Sequence, residues 1–195
     1  MGTVKSALEI ALEKAEKIGP LSAEEKEQMA AEENVTGILR DLYQGRIDAN
    51  GLWQRLKGAT HPLLKMAQVN IIDTLGLNGI MEDFLMKKQA VLAVETLKET
   101  PNTAMIESGL QAMEQLKKEF EAMKEQVSED LQKEVEQNPR MRMQPVKMAD
   151  GRTVMQVTAS VDEAVQARLD EYLSEHESRY NQEFLRIIGA VKDAL

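Results

Sequence analysis

Residues 138–163 read NPRMRMQPVKMADGRTVMQVTASVDE, and this stretch decides the architecture of the chain. Asn138-Pro139 ends whatever helix precedes it, because a proline ring disfavours helical backbone in the residue before it. Ser160-Val161-Asp162-Glu163 opens another as a capping box, with Ser160 receiving the third amide and Glu163 reaching back. Between the two signals, Asp150-Gly151 predicts a β-hairpin over about 140–158, closed by a two-residue type I′ turn with positive φ at both residues. That turn sets Met148 opposite Thr153, Val146 opposite Met155 and Gln144 opposite Val157. One face then collects Val146, Met148, Met155 and Val157. Pro145 has no amide donor, so its strand belongs at an edge.

Working outward, both flanks are long helices. Upstream, Pro101 with Asn102 or Thr103 starts a helix in which Ile106, Leu110, Met113, Leu116, Phe120, Met123, Val127, Leu131 and Val135 recur at steps of three or four. Downstream the stripe is Val161, Val165, Leu169, Tyr172 or Leu173, His176, Tyr180, Phe184, Ile187 or Ile188, Val191 and Leu195. This is the spacing of a coiled-coil seam. The helices, about 102–138 and 160–195, would each extend roughly 55 Å. Neither buries its stripe alone, and the short connector makes each the other's antiparallel partner. Val135 should lie near Val161, and Ile106 near Ile187 or Val191.

Residues 1–101 are expected to form a compact multi-helix portion packed at the end away from the hairpin. Thr3 to Ile18 is an amphipathic segment ended by Gly19-Pro20, and Met1-Gly2 with Ser6 fits the permissive myristoylation pattern. Ser22 and Glu25 form a second capping box for a helix to about Gln44, stopped by Gly45, with Val35, Ile38, Leu39, Leu42 and Tyr43 turned inward. Asp48 caps a short helix carrying Leu52, Trp53 and Leu56, in which Trp53 is a core anchor. His61-Pro62 introduces a helix that is apolar all round, and Ile80 to about Thr100 forms the next. The region from Leu63 to Leu97 is the most apolar of the chain. Its residues Leu64, Ile71, Ile72, Phe84, Leu85 and Val91 serve as monomer core or as a subunit interface.

The fold class is therefore mainly helical (all-α), a helical N-terminal portion plus an antiparallel two-helix coiled coil with a β-hairpin at its tip. Scarce aromatics and 12 methionines suit helical seams. With no cysteine there are no disulfides or thiolate metal sites. No apolar run is long enough to cross a bilayer and no secretory leader opens the chain, so the cytoplasm is the expected location and the sequon Asn34-Val35-Thr36 is read as chance.

The net charge of −9 divides unevenly, as −3 over residues 1–101, −5 over 102–139, +3 over 140–159 and −4 over 160–195. An acidic chain lacks the accumulated positive charge that nucleic acid requires. The hairpin is a basic island on an acidic rod. Its interaction candidates are Arg140, Met141, Arg142, Met143, Val146, Lys147, Met148, Arg152, Met155 and Val157, and their expected partner is an acidic protein.

Catalytic constellations do not assemble. There is no Gly-x-Ser-x-Gly elbow, phosphate-binding loop or dinucleotide fingerprint. His61 and His176 stand in no metal-binding spacing, so no catalytic, cofactor or metal residues are assigned. His176 falls on the seam side and Trp53, Leu52 and Leu56 cluster inward. The helix–hairpin–helix layout of Asn102–Leu195 resembles a prefoldin chaperone subunit in outline. That likeness implies assembly through hairpins and client binding at free helix ends, whereas this chain places about a hundred helical residues at those ends. The reading is thus a non-catalytic helical interaction and assembly protein, homo-oligomeric. A prefoldin-like holdase and an accessory subunit of a larger complex are the alternatives.

Overall fold

The structure is a computed structural model that describes residues 22–195. The segment from Thr3 to Ile18 and the Met1-Gly2 pattern lie outside the described residues. Helices α1 (Ala23–Tyr43), α2 (Ala49–Leu56), α3 (His61–Asp73) and α4 (Met81–Glu95) lead into α5 (Thr103–Gln137). A 3-10 turn (Pro139–Arg142), β1 (Met143–Lys147), β2 (Thr153–Val157) and α6 (Val161–Asp193) complete the order. The fold is mainly α with one antiparallel hairpin, as the patterning implies.

Local chemistry sets the boundaries. Ser22 and Ser160 each accept from the amide three residues on, and Glu25 and Glu163 return a carboxylate to the cap amide. These contacts hold both glutamates below the usual carboxylate range, chiefly through the serine backbone amide. Asp48 accepts from Gly51 N at 2.8 Å to start α2. Helix α4 ends at Glu95 rather than near Thr100, because the chain turns there and Glu95 becomes a buried hub. Its carboxylate accepts from Lys98 at 2.7 Å, from Gln68 at 2.8 Å and from the Asn102 amide at 2.6 Å. Asn102 is the cap of α5 by position, yet its side chain donates to Ala194 O at 3.2 Å. Three elements therefore meet at one satisfied carboxylate.

The main core joins Val35, Ile38, Leu39 and Leu42 of α1 to Leu52 and Leu56 of α2. It continues through Leu64, Ile71, Ile72, Phe84 and Val91 into Ile106, Leu110, Met113 and Phe120 of α5, and Phe184, Ile187, Ile188 and Val191 of α6. Helices α5 and α6 run antiparallel and pack tightly at Gly109, where an added Cβ would lie 2.3 Å from Val191 Cγ2. Glycine is required there to let the helices approach. The far end of the pair is sealed by a second cluster of Val135, Ala159 and Ala164, with Met141, Val161 and Val165 against it. Along the exposed face of α5, side chains four apart pair as Gln115 with Glu119 at 2.9 Å and Lys118 with Glu114 at 2.6 Å. Such pairs support a helix that is mostly solvated.

Several expectations are corrected. Of the core-or-interface candidates, Leu64, Ile71, Ile72, Phe84 and Val91 lie in this chain's own core, whereas Leu85 is 37% exposed and is left to the interface alternative. Tyr43 is 41% exposed and only its hydroxyl turns in, donating to Asn70 O at 3.2 Å. Trp53 is half-buried, with Nε1 donating to Thr96 Oγ1 at 3.1 Å. His176 is exposed at the edge of the seam, stacked on Tyr172 with ring centroids 4.0 Å apart. Lys117, by contrast, is buried. Its Nζ donates to the carbonyls of Gly76 at 3.0 Å, Gly79 at 2.7 Å and Leu77, clamping the α3–α4 connection onto α5. Burial pushes its pKa down.

Candidate interaction surface

Two antiparallel helices of 35 and 33 residues carry the hairpin about 27 Å beyond Phe120, the last buried α5 residue of the main core. The chain leaves α5 through the 3-10 turn rather than directly into a strand. Asn138 Oδ1 accepts from the Arg140 amide at 3.3 Å and Asn138 O from the Met141 amide at 3.0 Å. This tight turn replaces the expected strand start at Arg140. It drives Met141 into the end cluster, while Arg142 O accepts from both Thr158 N and Ala159 N at 3.2 and 3.3 Å.

The register differs from expectation by one residue. Lys147 pairs with Thr153, Val146 with Val154, Pro145 with Met155, Gln144 with Gln156 and Met143 with Val157. The cause is the turn. Gly151 has φ 83°, but no described non-glycine residue has positive φ, so Asp150 cannot occupy a type I′ position. Instead Gly151 N donates to Met148 O at 2.9 Å and Met148 N to Arg152 O at 2.7 Å. That is a three-residue loop ending in a left-handed glycine. Asp150 locks it by accepting from the Arg152 amide at 3.0 Å and from Arg152 Nε at 2.7 Å. The Arg152 side-chain bond, then its backbone bond, hold the Asp150 carboxyl below its ordinary range.

The slip redistributes the side chains, since opposed residues share a face. Val146 and Met148 lie with Val154 on one face; Met155 and Val157 lie with Met143 and Pro145 on the other. The expected single apolar face is therefore two. Met148, Val154, Met155 and Val157 are all more than 40% exposed, while Met143 and Val146 are half-buried. Val154 was not among the candidate residues, because the two-residue loop would have turned it away from that face. Among the described residues Arg140, Arg142 and Lys147 form no ion pair, and Arg142 Nε is buried without a partner. The Arg152 side chain pairs with Asp150, at 2.6 Å.

Concavities also lie away from the hairpin. A cleft of about 360 Å³ midway along the helix pair is lined by Leu116, Met123, Tyr172, Tyr180 and His176, with Glu119, Arg179 and Glu183 at its rim. A groove between α1 and α3 is lined by Leu63, Met66, Glu24, Glu27 and Glu32. No group of three or more histidine or acidic side chains converges for a metal among the described residues. Nor is any described helix long and apolar enough to cross a membrane.

A family model matches residues 52–193, and the chain belongs to that family, described as a family of unknown function (DUF6657). The match begins within α2 and takes in α3 to α6 whole. No curated protein and no solved structure matches the chain. The likeness to prefoldin subunits thus rests on layout alone.

Proposed function

We propose that this member of the family is a non-catalytic assembly protein whose paired helices form a coiled coil and whose basic, methionine-bearing hairpin meets an acidic protein partner. The observation that carries the reading is the exposure of Met148, Val154, Met155 and Val157 on a hairpin whose base is already satisfied. A two-stranded hairpin is marginal in water, and apolar side chains on both its faces gain only when something covers them. Methionine adapts to varied apolar partners, and a basic rim speeds encounter with an acidic surface.

Self-association is the second part of the proposal. Between Phe120 and Val135 on α5, and between Ala164 and Phe184 on α6, no side chain is fully buried. Leu116, Met123, Val127, Leu131, Leu169 and Leu173 stay half-exposed along the pair, a stripe that a second copy would cover.

Replacing residues 140–159 with a short Gly/Ser linker tests the hairpin. The variant should keep its helicity by circular dichroism and lose the partner that co-purifies with the wild type. Retention of every partner overturns the interaction reading. Light scattering at micromolar protein should give a mass above that of one chain, and a concentration-independent monomer overturns self-association.

A further inference from the structure

We infer that the outer edge of β2 accepts an added strand from an extended, acidic polypeptide segment. This rests on the hairpin being partner-facing and specifies how the partner is held.

Directly opposed residues in an antiparallel pair alternate between exchanging hydrogen bonds and turning their amides outward. The bond from Met148 N to Arg152 O fixes the phase. Val146/Val154 and Gln144/Gln156 then bond across the pair, so Thr153, Met155 and Val157 turn N–H and C=O outward. The β1 edge is blocked. Pro145 has no N–H, and the Met143 amide is already given to Arg140 O. The β2 edge has no proline, no bulge and no charged side chain within Thr153–Val157, which are the usual protections of a free edge. Its Met155 and Val157 are 57% and 45% exposed, ready to flank a neighbouring strand.

Charge selects the occupant. Arg140, Arg142, Lys147 and Arg152 against Asp150 leave +3 in twenty residues, and the buried Arg142 Nε lacks an acceptor. A second copy pairing at this edge would bring the same +3, whereas an acidic segment neutralises it.

The test uses the full chain and a fluorescent synthetic peptide alternating valine with glutamate, followed by anisotropy. Binding should saturate, weaken with salt and vanish for the valine–lysine counterpart. Met155→Pro removes one outward donor and no ladder bond, mirroring Pro145 opposite it, and should weaken binding about tenfold, the worth of one hydrogen bond. Met155→Thr keeps the amide and should bind within a few-fold of wild type. Amide exchange gives a readout independent of either variant. Peptide should slow Thr153, Met155 and Val157 and leave Val154 and Gln156 unchanged. Equal binding of the lysine peptide, or unprotected edge amides in the complex, overturns the inference. So does a Met155→Pro variant that drops to monomer while the wild type ignores the peptide, since the occupant is then a second copy. If the linker variant loses its partner but Met155→Pro keeps it, the hairpin reading stands and the edge inference falls.

Discussion

Gly109→Ala should destabilise the fold although alanine is the better helix former. The added Cβ would sit 2.3 Å from Val191 Cγ2, where carbon contacts settle at about 3.5–4.0 Å. Val191 is 2% exposed and β-branched, so it cannot rotate away cheaply. The helices must instead separate by an ångström or so, and overpacking of this kind costs about 1–3 kcal/mol. Against it stands a propensity gain of about 1 kcal/mol for replacing a mid-helix glycine. Gly189→Ala is the internal control, because its Cβ meets nothing within 4 Å in the same helix pair. It should gain about 0.5–1 kcal/mol, so the difference between the two variants isolates the clash. For a chain of this size each kcal/mol moves Tm by about 2–4 °C. Urea unfolding followed by far-UV circular dichroism reads both, and adding Val191→Ala to Gly109→Ala should recover part of the loss. If Gly109→Ala is as stable as Gly189→Ala, the close approach of α5 and α6 is wrong.

Glu95→Gln leaves Lys98 buried without its partner and should cost about 3–5 kcal/mol at neutral pH, read by denaturant titration. Burial alone would raise the Glu95 pKa, but Lys98, Gln68 and the Asn102 amide hold it below 4.5. Its stabilisation is therefore present above 4.5 and lost as pH falls through the lowered value, so the acid limb of Tm against pH should flatten in the variant. Lys117→Met strands the Gly76, Leu77 and Gly79 carbonyls at about 1–3 kcal/mol for each that stays dry. Because burial lowers the Lys117 pKa, wild-type stability should gain as pH rises from that lowered value towards 10.5, a gain the methionine variant lacks. Leu85→Asp should change unfolding free energy by less than about 1 kcal/mol, unlike Ile72→Asp, since Leu85 is 37% exposed and Ile72 fully buried.

Helix ends were legible because their chemistry is local. Ser22 with Glu25 and Ser160 with Glu163 carry the whole capping interaction within four residues. The hairpin was legible for the same reason, but its register was not. Asp150-Gly151 serves both a two-residue loop and a three-residue loop with the glycine alone left-handed, and only the φ of Asp150 separates them. His176 marks the border of the seam, exposed yet lining the cleft between α5 and α6 with Tyr172 and Tyr180, a distinction that spacing alone does not carry. Lys117 reads as solvated from its own neighbours; the carbonyls that bury it come from residues about forty positions away.

The same distinction bears on the hairpin's chemistry. The main core, the Glu95 hub and the Lys117 clamp all lie at the end of the helix pair away from it. The hairpin end is closed by Val135, Ala159, Ala164 and Met141, none of them in the strands. Folding therefore makes little demand on Val154, Met155 and Val157, where threonine or lysine would meet the needs of a solvated strand as well. Apolar side chains at these positions, an open strand edge and the lack of ion pairs at Arg140, Arg142 and Lys147 among the described residues all support the proposed covering surface. A hairpin anchored only at its base can adapt to that surface without disturbing the core, because the rod separates the two.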